Sequence, residues 1–506
     1  MGSRPARLLG ANGPTGYQRA VNGSNVFYDS WNITSGHDPS VAGDPRVTQT
    51  VFNDGVDDAR VALLNGITQG HYLLSCAWGI QSLDAATANE GAVSIREGAG
   101  TSADNYASGT VPERVFDHEL EGSAAAWRFA AATWNGRRPV TGNDAAWSVA
   151  HGNAVAGTNT MYGTTLLVIP VEAGANVPEI DNPPVLHDKP HAGVEKSEVF
   201  NQTGGTQEYN DATLADQDLV KIPTDPNFVI EHGNEDYIML FRAQPRSNTE
   251  AAARRLRWSF WVEGPSTPFE DVFNIRTNVL TAGATSTGRG FQARFSLDSF
   301  QGPYTMPFVI KNLKKGNHTW YTIANRFQVT DSDEQLRNIG LLIFRTKMFS
   351  RFTYKEHTSA ITSTSSTFTN SPFEVTINSK DGTPIILMFS TSSHHTGGGG
   401  NQWSITRNGT AITPTATGAG ATFGMTAPQN FADGTNGTGD SDNETMPVTL
   451  LWVDSSPVIG QNKYIIQYRR EPNLAVNSIW NCRDDGTSGF KGYFCGFEAK
   501  FATTGF

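Results

Sequence analysis

The sequence predicts an all-β chain: three tandem β-sandwich domains behind an extended N-terminal arm. Three observations lead there. Glycine occurs 51 times and proline 25 times in 506 residues, with many Ser, Thr and Asn, a composition of short strands joined by turns. Apolar runs of five or six residues recur between these turn formers, several alternating apolar and polar as a half-buried strand does. The third observation is an internal echo. Gln402-Trp403-Ser404-Ile405-Thr406-Arg407-Asn408-Gly409 is matched by Leu256-Arg257-Trp258-Ser259-Phe260-Trp261-Val262-Glu263-Gly264 and more loosely by Ala92-Val93-Ser94-Ile95-Arg96-Glu97-Gly98. Each copy follows an apolar run, His71–Ala77, Tyr237–Phe241 or Pro384–Phe389. The period exceeds that of a solenoid and is close to one domain, which suggests one β-domain made three times.

Residues 1–45 read as the arm. Met1–Ala20 carries Arg4, Arg7 and Arg19 without an acidic residue, broken by Gly10, Gly13, Pro14 and Gly16. It offers too little apolar surface to offset the entropy of ordering. It is either a loose end or an anchoring arm that orders against another subunit. The first sandwich, 46–173, takes its strands at Val61–Leu64, Tyr72–Ala77, Val93–Arg96, Trp127–Ala132 and Leu166–Val171. Residues 174–221 form a Pro/Gly-rich linker, stiffened at Pro183-Pro184.

The second sandwich, 222–349, has strands at Phe228–Glu231, Tyr237–Arg242, Trp258–Val262, Phe291–Phe295, Phe308–Lys311, Thr319–Ala324 and Gly340–Arg345, and a helical turn or two at Ala251–Leu256. Residues 350–370 are a Ser/Thr-rich joint. In the third sandwich, 371–506, Phe373–Ile377 and Ile385–Phe389 are predicted to pair as a hairpin around Ser379-Lys380-Asp381-Gly382, and Asn408-Gly409 marks a second hairpin. Pro447–Val453, Tyr464–Tyr468 and Gly496–Phe501 complete it, with Gly418–Glu444 as a long loop. Alternation puts Trp403, Ile405, Tyr464, Ile466 and Tyr468 inward, so the Trp pair at 258 and 403 reads as core filling.

Four features of this last region occur in a characteristic order. They are the Phe373–Phe389 hairpin, the Ile405-Thr406-Arg407-Asn408-Gly409-Thr410 turn, the Trp452-Val453-Asp454-Ser455-Ser456-Pro457 corner and the strand Lys463–Arg469, and a final strand, Gly496–Phe501, closes the sheet. In that order they resemble a jelly-roll domain of tailed-bacteriophage virion proteins, similar to the tumour necrosis factor and C1q-like jelly roll. The resemblance spans about 130 residues; the first two sandwiches join it only through the echo and the order of strands. It implies a trimer, a place in the virion as capsid decoration, head fibre or tail component, contacts with other virion proteins, and no catalytic residues.

The residues themselves carry little chemistry. A net charge of −11 disfavours a broad grip on nucleic acid or anionic membrane. Met1–Ala20 has no apolar signal-peptide core and no window suits a membrane helix, so synthesis in a host cytoplasm is expected. Cys76, Cys482 and Cys495 form no closed disulfide framework; Cys482 and Cys495 are either a local pair or separate thiols.

No nucleophile-elbow, phosphate-loop or zinc-protease pattern appears, and no cofactor is implied. Pro190 separates His187 from His191. His394 and His395 precede Gly397–Gly400 and read as an exposed loop tip, as do Asp440 and Asp442, whose spacing lacks the glycine of a calcium loop. Carboxylate pairs Asp57-Asp58 and Asp484-Asp485 say nothing of the separation that glycoside cleavage needs. The expectation is a non-enzymatic homotrimer in the virion. The alternatives are an adhesin that binds host-surface glycan through Gly397–Gly400 and Gly418–Glu444, and, behind it, a polysaccharide depolymerase.

Overall fold

The computed structural model describes residues 18–19, 27–31, 59–67, 70–82, 89–97, 114–120, 128–140, 145–153, 159–170, 220–222, 227–230, 235–247, 254–263, 291–295, 299–300, 304–327, 334–396, 401–413, 425–426, 443–470, 478–481 and 491–499. Among them every regular element is a strand except a 3-10 turn at Thr346–Met348, and all the strand pairs are antiparallel. The fold is therefore all-β.

The strands lie in six sheets. In the first pair, β1 (Gln18–Arg19), β2 (Phe27–Trp31), β9 (Asn159–Pro170), β4 (Gly70–Ser82) and β7 (Arg128–Val140) lie in that order, against β3 (Ala59–Ile67), β8 (Ala145–Asn153), β5 (Asn89–Glu97) and β6 (Arg114–Leu120). The second pair sets β18 (Glu334–Arg345), β12 (Glu235–Ser247) and β16 (Tyr304–Leu313), extended by β15 (Ser299–Phe300), beside β11 (Asn227–Ile230), β17 (Gly316–Phe327), β13 (Arg254–Glu263) and β14 (Phe291–Phe295); β10 (Val220–Ile222) also joins β17. The third sets β19 (Thr353–His357), β29 (Gly492–Glu498), β22 (Ile385–Thr396) and β26 (Asn443–Asp454), with β20 (Ile361–Ser363) and β28 (Ser478–Trp480), against β21 (Thr369–Ser379), β27 (Gly460–Arg470), β23 (Asn401–Arg407), β24 (Thr410–Ala411) and β25 (Met425–Thr426).

One strand order recurs. In β2-β9-β4-β7 and in β19-β29-β22-β26, the first main strand of the pair lies beside the last, then the third, then the sixth. The second, seventh, fourth and fifth form the facing sheet, β3-β8-β5-β6 or β21-β27-β23-β24. The middle pair has the same order without a described first strand. The sequence echo coincides with the fourth strand each time, β5, β13 and β23.

Several local expectations change. Phe373–Phe389 is not a hairpin: β21 pairs with β27, and β22 pairs with β26, β28 and β29. Phe373, Val375 and Ile377 face Ile385, Leu387 and Phe389 across one core, so the chain must cross from sheet to sheet. The Asp381-Gly382 turn makes that crossing, with Gly382 at φ +68°, where a side chain is strained. Asn408-Gly409 does close a two-residue hairpin, both residues at positive φ, 50° and 84°. Arg254–Leu256 is strand, not helix: a sheet partner on both sides overrides local propensity. The last strand is Gly492–Glu498 rather than 496–501.

The stretch expected as a joint, 350–370, contributes β19 and β20, which pair with β29 and β28. Asn481 locks it down. Its Nδ2 donates to the carbonyls of His357 (2.9 Å) and Ser359 (3.0 Å), while its Oδ1 accepts from Thr391 Oγ1. Phe349 stacks on Phe497 at 4.1 Å, and Glu498 accepts from Ser350 Oγ at 3.0 Å and pairs with Arg351 at 3.5 Å. Within 1–45, β2 pairs with β9 through Phe27↔Val168 to Trp31↔Thr164, so part of the expected arm is an edge of the first sheet.

The third core is built around aromatic side chains. Phe373 meets Phe389 edge-on at 4.9 Å, Phe389 meets Trp403 at 5.2 Å, and Trp403 meets Trp480 at 5.3 Å. Each fully buried ring of this size stabilises by roughly 1.5–3 kcal/mol from area alone. Gly492 sits where this core leaves no room: a Cβ there would meet Asn481 Oδ1 and the Phe373 ring edge. At Gly496 it would meet only the tips of Ile377 and Leu387, at 2.7 and 3.2 Å. Gly492→Ala is expected to lose about 1–3 kcal/mol to overpacking and Gly496→Ala clearly less, read from urea unfolding midpoints.

Candidate assembly interface

A sheet with one wet face alternates apolar and polar residues. β21 does so, with alternate residues buried from Ser371 to Ser379. β22, β26 and β29 do not: Ile385–Phe389, Val448–Val453 and the whole of β29 are buried. Their inward residues belong to the aromatic core. Ile386, Met388, Leu451, Val453, Tyr493, Cys495 and Phe497 point the other way and are still buried, so something covers the outer face.

That cover is β16. Ser390 Oγ donates to the Pro307 carbonyl at 2.7 Å, and Phe308 meets Tyr493 edge-on at 5.7 Å. At the rim Lys311 pairs with Glu356 at 3.7 Å and lies 5.6 Å from the Tyr354 ring centre, while Asp236 accepts from the Asn312 N–H at 2.9 Å. Burial, then the charges of Asp236 and Glu356, push the Tyr354 phenol up to about 12, so it stays neutral. Burial likewise raises the thiol of Cys495, which is a free, inert core cysteine.

β16 is gripped on another side by β7. Thr305 N–H donates to Thr133 Oγ1 at 2.8 Å, Thr133 Oγ1 donates to the Thr305 carbonyl at 3.1 Å, and Thr305 Oγ1 returns a bond to the Thr133 carbonyl at 3.1 Å. Both threonines are buried, at 2% and 4% exposure, so each pairs backbone groups that would otherwise lie desolvated. A further clamp holds the end of this sheet. Glu235 takes a bidentate pair from Arg345 at 2.8 and 2.9 Å and a third bond from Lys347 at 3.0 Å. The Arg345 bonds, chiefly, hold the Glu235 carboxyl below its usual range.

At the far corner of the third pair, Arg407 Nη1 donates to both oxygens of Asp454 (2.9 and 2.8 Å) and to the Ser456 carbonyl. Tyr464 OH donates to Asp454 Oδ2 at 2.7 Å, and burial followed by the Asp454 charge raises that phenol far above its ordinary value. Asn408 bridges to the Gln461 carbonyl at 3.2 Å and the Lys463 N–H at 2.9 Å. The turn, the corner and the strand singled out in the sequence thus form one knot. Val458 and Ile459 project beyond it, 44% and 75% exposed.

The residues expected at sites are scattered. His394 and His395 are not at a loop tip: their backbones lie in β22, between Thr445 and Glu444 on one side and Ile479 and Ser478 on the other. The strand continues through them because partners exist on both sides, which local sequence does not reveal. Arg19 lies in β1, paired with Phe27. Arg4, Arg7, Asp440, Asp442, His187, His191, Cys482 and both carboxylate pairs lie outside the described residues. Among the described residues no group of three His, Cys, Asp or Glu side chains could hold a metal ion, and no helix is long and apolar enough to cross a membrane, which says nothing of a β-barrel. The junction residues Thr133, Thr305, Ser390 and Tyr493 were missed. The apolar runs Ile385–Phe389 and Val448–Val453 signal a face that must be covered, but not the strand that covers it.

No family model matches the chain, and no curated protein matches it. Among solved structures it is similar to the tandem CBM22-1–CBM22-2 domain of Paenibacillus barcinonensis Xyn10C, at 10% identity and TM-score 0.17, over 56% of this chain and 82% of that one. The VP2 subviral particle of infectious bursal disease virus gives 11% identity and TM-score 0.14, over 59% of this chain and 81% of that one. The Gx strain structure of the same virus gives 10% and 0.13, over 90% and 78%. Likenesses this slight carry no argument.

Asp454→Ala takes the carboxylate from Arg407, which keeps only the Ser456 carbonyl, and removes the acceptor of the Tyr464 hydroxyl; a loss of about 3 kcal/mol is expected, against about 1.5 for Tyr464→Phe, by chemical denaturation. Glu235 binds its proton more weakly folded than unfolded, so its contribution is present above the ordinary value of 4.5 and fades as pH falls through the lowered one. Glu235→Gln should therefore melt below the parent at pH 7, with the gap closing under acid; a constant gap from pH 7 to 3 would contradict this.

Proposed function

We propose that the chain is a non-enzymatic structural protein of a tailed-bacteriophage virion, a capsid decoration, head-fibre or tail component. Its body is read as three tandem jelly-roll-like sandwiches. The observation that carries this reading is the knot of Arg407, Asp454 and Tyr464. Of the motifs behind the resemblance to the phage jelly-roll domain, the Phe373–Phe389 hairpin is not formed, while the turn, the corner and the strand supply these residues. Their meeting at one corner gives that otherwise loose set of motifs a physical reason to occur together. The recurring strand order supports carrying the same reading to the first two pairs of sheets.

The work of such a protein is mechanical. In the third sandwich the polar side chains of the corner are spent within it: Arg407 on the Asp454 carboxylate and the Ser456 carbonyl, Asn408 on the Gln461 carbonyl and the Lys463 N–H. They tie strands together. The N-terminal residues around Arg4 and Arg7 are the proposed hold on the particle.

Immunogold labelling of intact virions against this chain tests the role. Gold on particle heads or tails is expected. Unlabelled particles, with the chain found only in the soluble lysate, would end it. Label at the tail tip, with glycan binding lost on exchange of 418–444, would make the protein the adhesin instead.

A further inference from the structure

The three pairs of sheets touch in a regular way. Their sixth strands, β7, β16 and β26, are edge strands, and all three meet one another. Each also meets a sheet of a neighbour: β7 meets β12, β16 meets β22 and β29, and β26 meets β4 and β9. A second set of contacts follows the same direction. β6 of the first pair meets β15 of the second, β14 of the second meets β26 of the third, and β25 of the third meets β7 of the first. First to second, second to third and third to first are thus one contact made three times.

A head-to-tail contact whose rotation closes after three steps makes a ring. In an oligomer each copy of this surface would belong to a separate molecule. We infer that this chain closes the ring by itself: it is a trimer folded into one polypeptide and is a monomer through this surface. Every sandwich already presents its sixth strand to the next and receives one from the previous. Among the described residues no copy of this surface is left unpaired for a second chain. The burial of Ile386, Met388, Leu451, Tyr493 and Phe497 shows the cover in place.

The chemistry differs from junction to junction, as one chain permits and a homotrimer does not. Between the first and second pairs lies the reciprocal Thr133–Thr305 clasp. Between the second and third the contact named is of the other kind, β16 on the face of β22 and β29, with Ser390 Oγ on the Pro307 carbonyl and Phe308 against Tyr493. Unlike contacts keep the three sandwiches in order around the ring, because an exchange of places would leave buried polar groups unmatched. Covalent connection adds a high effective concentration of each surface for the next. An external partner consequently meets a single N-terminal segment and a single Val458–Ile459 tip per ring.

This inference is independent of any particle role and is tested on the isolated full chain. Sedimentation equilibrium should give 54.7 kDa at every concentration. Small-angle scattering should give a radius of gyration near that of a compact chain this long, about 23 Å, where three sandwiches in a row would give about 33 Å. A mass rising towards three chains, or the larger radius, would overturn it. The double variant Thr133→Cys with Thr305→Cys, oxidised with copper-phenanthroline, should cross-link as a fast-migrating single chain beside an unchanged parent control. A ladder of disulfide-linked dimers and trimers would place the contact between molecules and defeat the inference.

Discussion

Where they run side by side, strands β29, β22 and β26 have no solvent face, and the rest of the architecture depends on that. A strand buried on both sides exposes neither row of side chains to water, so both rows must be apolar or paired. Ile385–Phe389, Val448–Val453 and Tyr493–Phe497 meet the demand with almost unbroken hydrophobic runs. Such a sheet cannot stand as the outside of a lone sandwich without a large sticky surface. It requires a neighbour, and here β16 of the same chain supplies it, with Ser390 and Phe308 fixing where that strand lands.

Polar groups then specify what hydrophobic burial only permits. Thr133 and Thr305 match each other's backbone as well as side chains, so a shift of either strand would strand buried donors and acceptors. Asp454 gathers Arg407 and Tyr464 from two strands of the facing sheet and so joins the two layers at a corner. Asn481, at positive φ and fully buried, pins the entering segment β19–β20 against β22. The aromatic core from Phe373 to Trp480 fills the space between and tolerates no added methyl at Gly492.

Much of this was legible residue by residue. The echo of Trp403-Ser404 at Trp258-Ser259 and Val93-Ser94 picked out the same strand of each pair, β23, β13 and β5, each with a sheet partner on both sides. Asn408-Gly409 announced a tight hairpin, since few residues accept positive φ twice in succession. Asp381-Gly382 announced a turn equally well but not its kind: the same left-handed glycine serves a hairpin or a crossing, and only the opposed rows Phe373–Ile377 and Ile385–Phe389 choose the crossing. His394 and His395 looked like the approach to a glycine-rich tip because polarity alone cannot show that partners flank a strand on both sides.

Taken alone, the sequence determined what is local: the all-β class, most strand positions, the turn at Asn408-Gly409 and the inward row of Trp403, Ile405, Tyr464, Ile466 and Tyr468. These follow from backbone sterics and a period of two, which act over a few residues. The tertiary structure decided which strands share a sheet, that residues 350–370 pair into the third pair of sheets, and which strand covers which face. Those choices are made between residues far apart in the chain, such as Thr133 and Thr305, where shape, burial and hydrogen-bond matching act together. No local pattern encodes a partner 172 residues away.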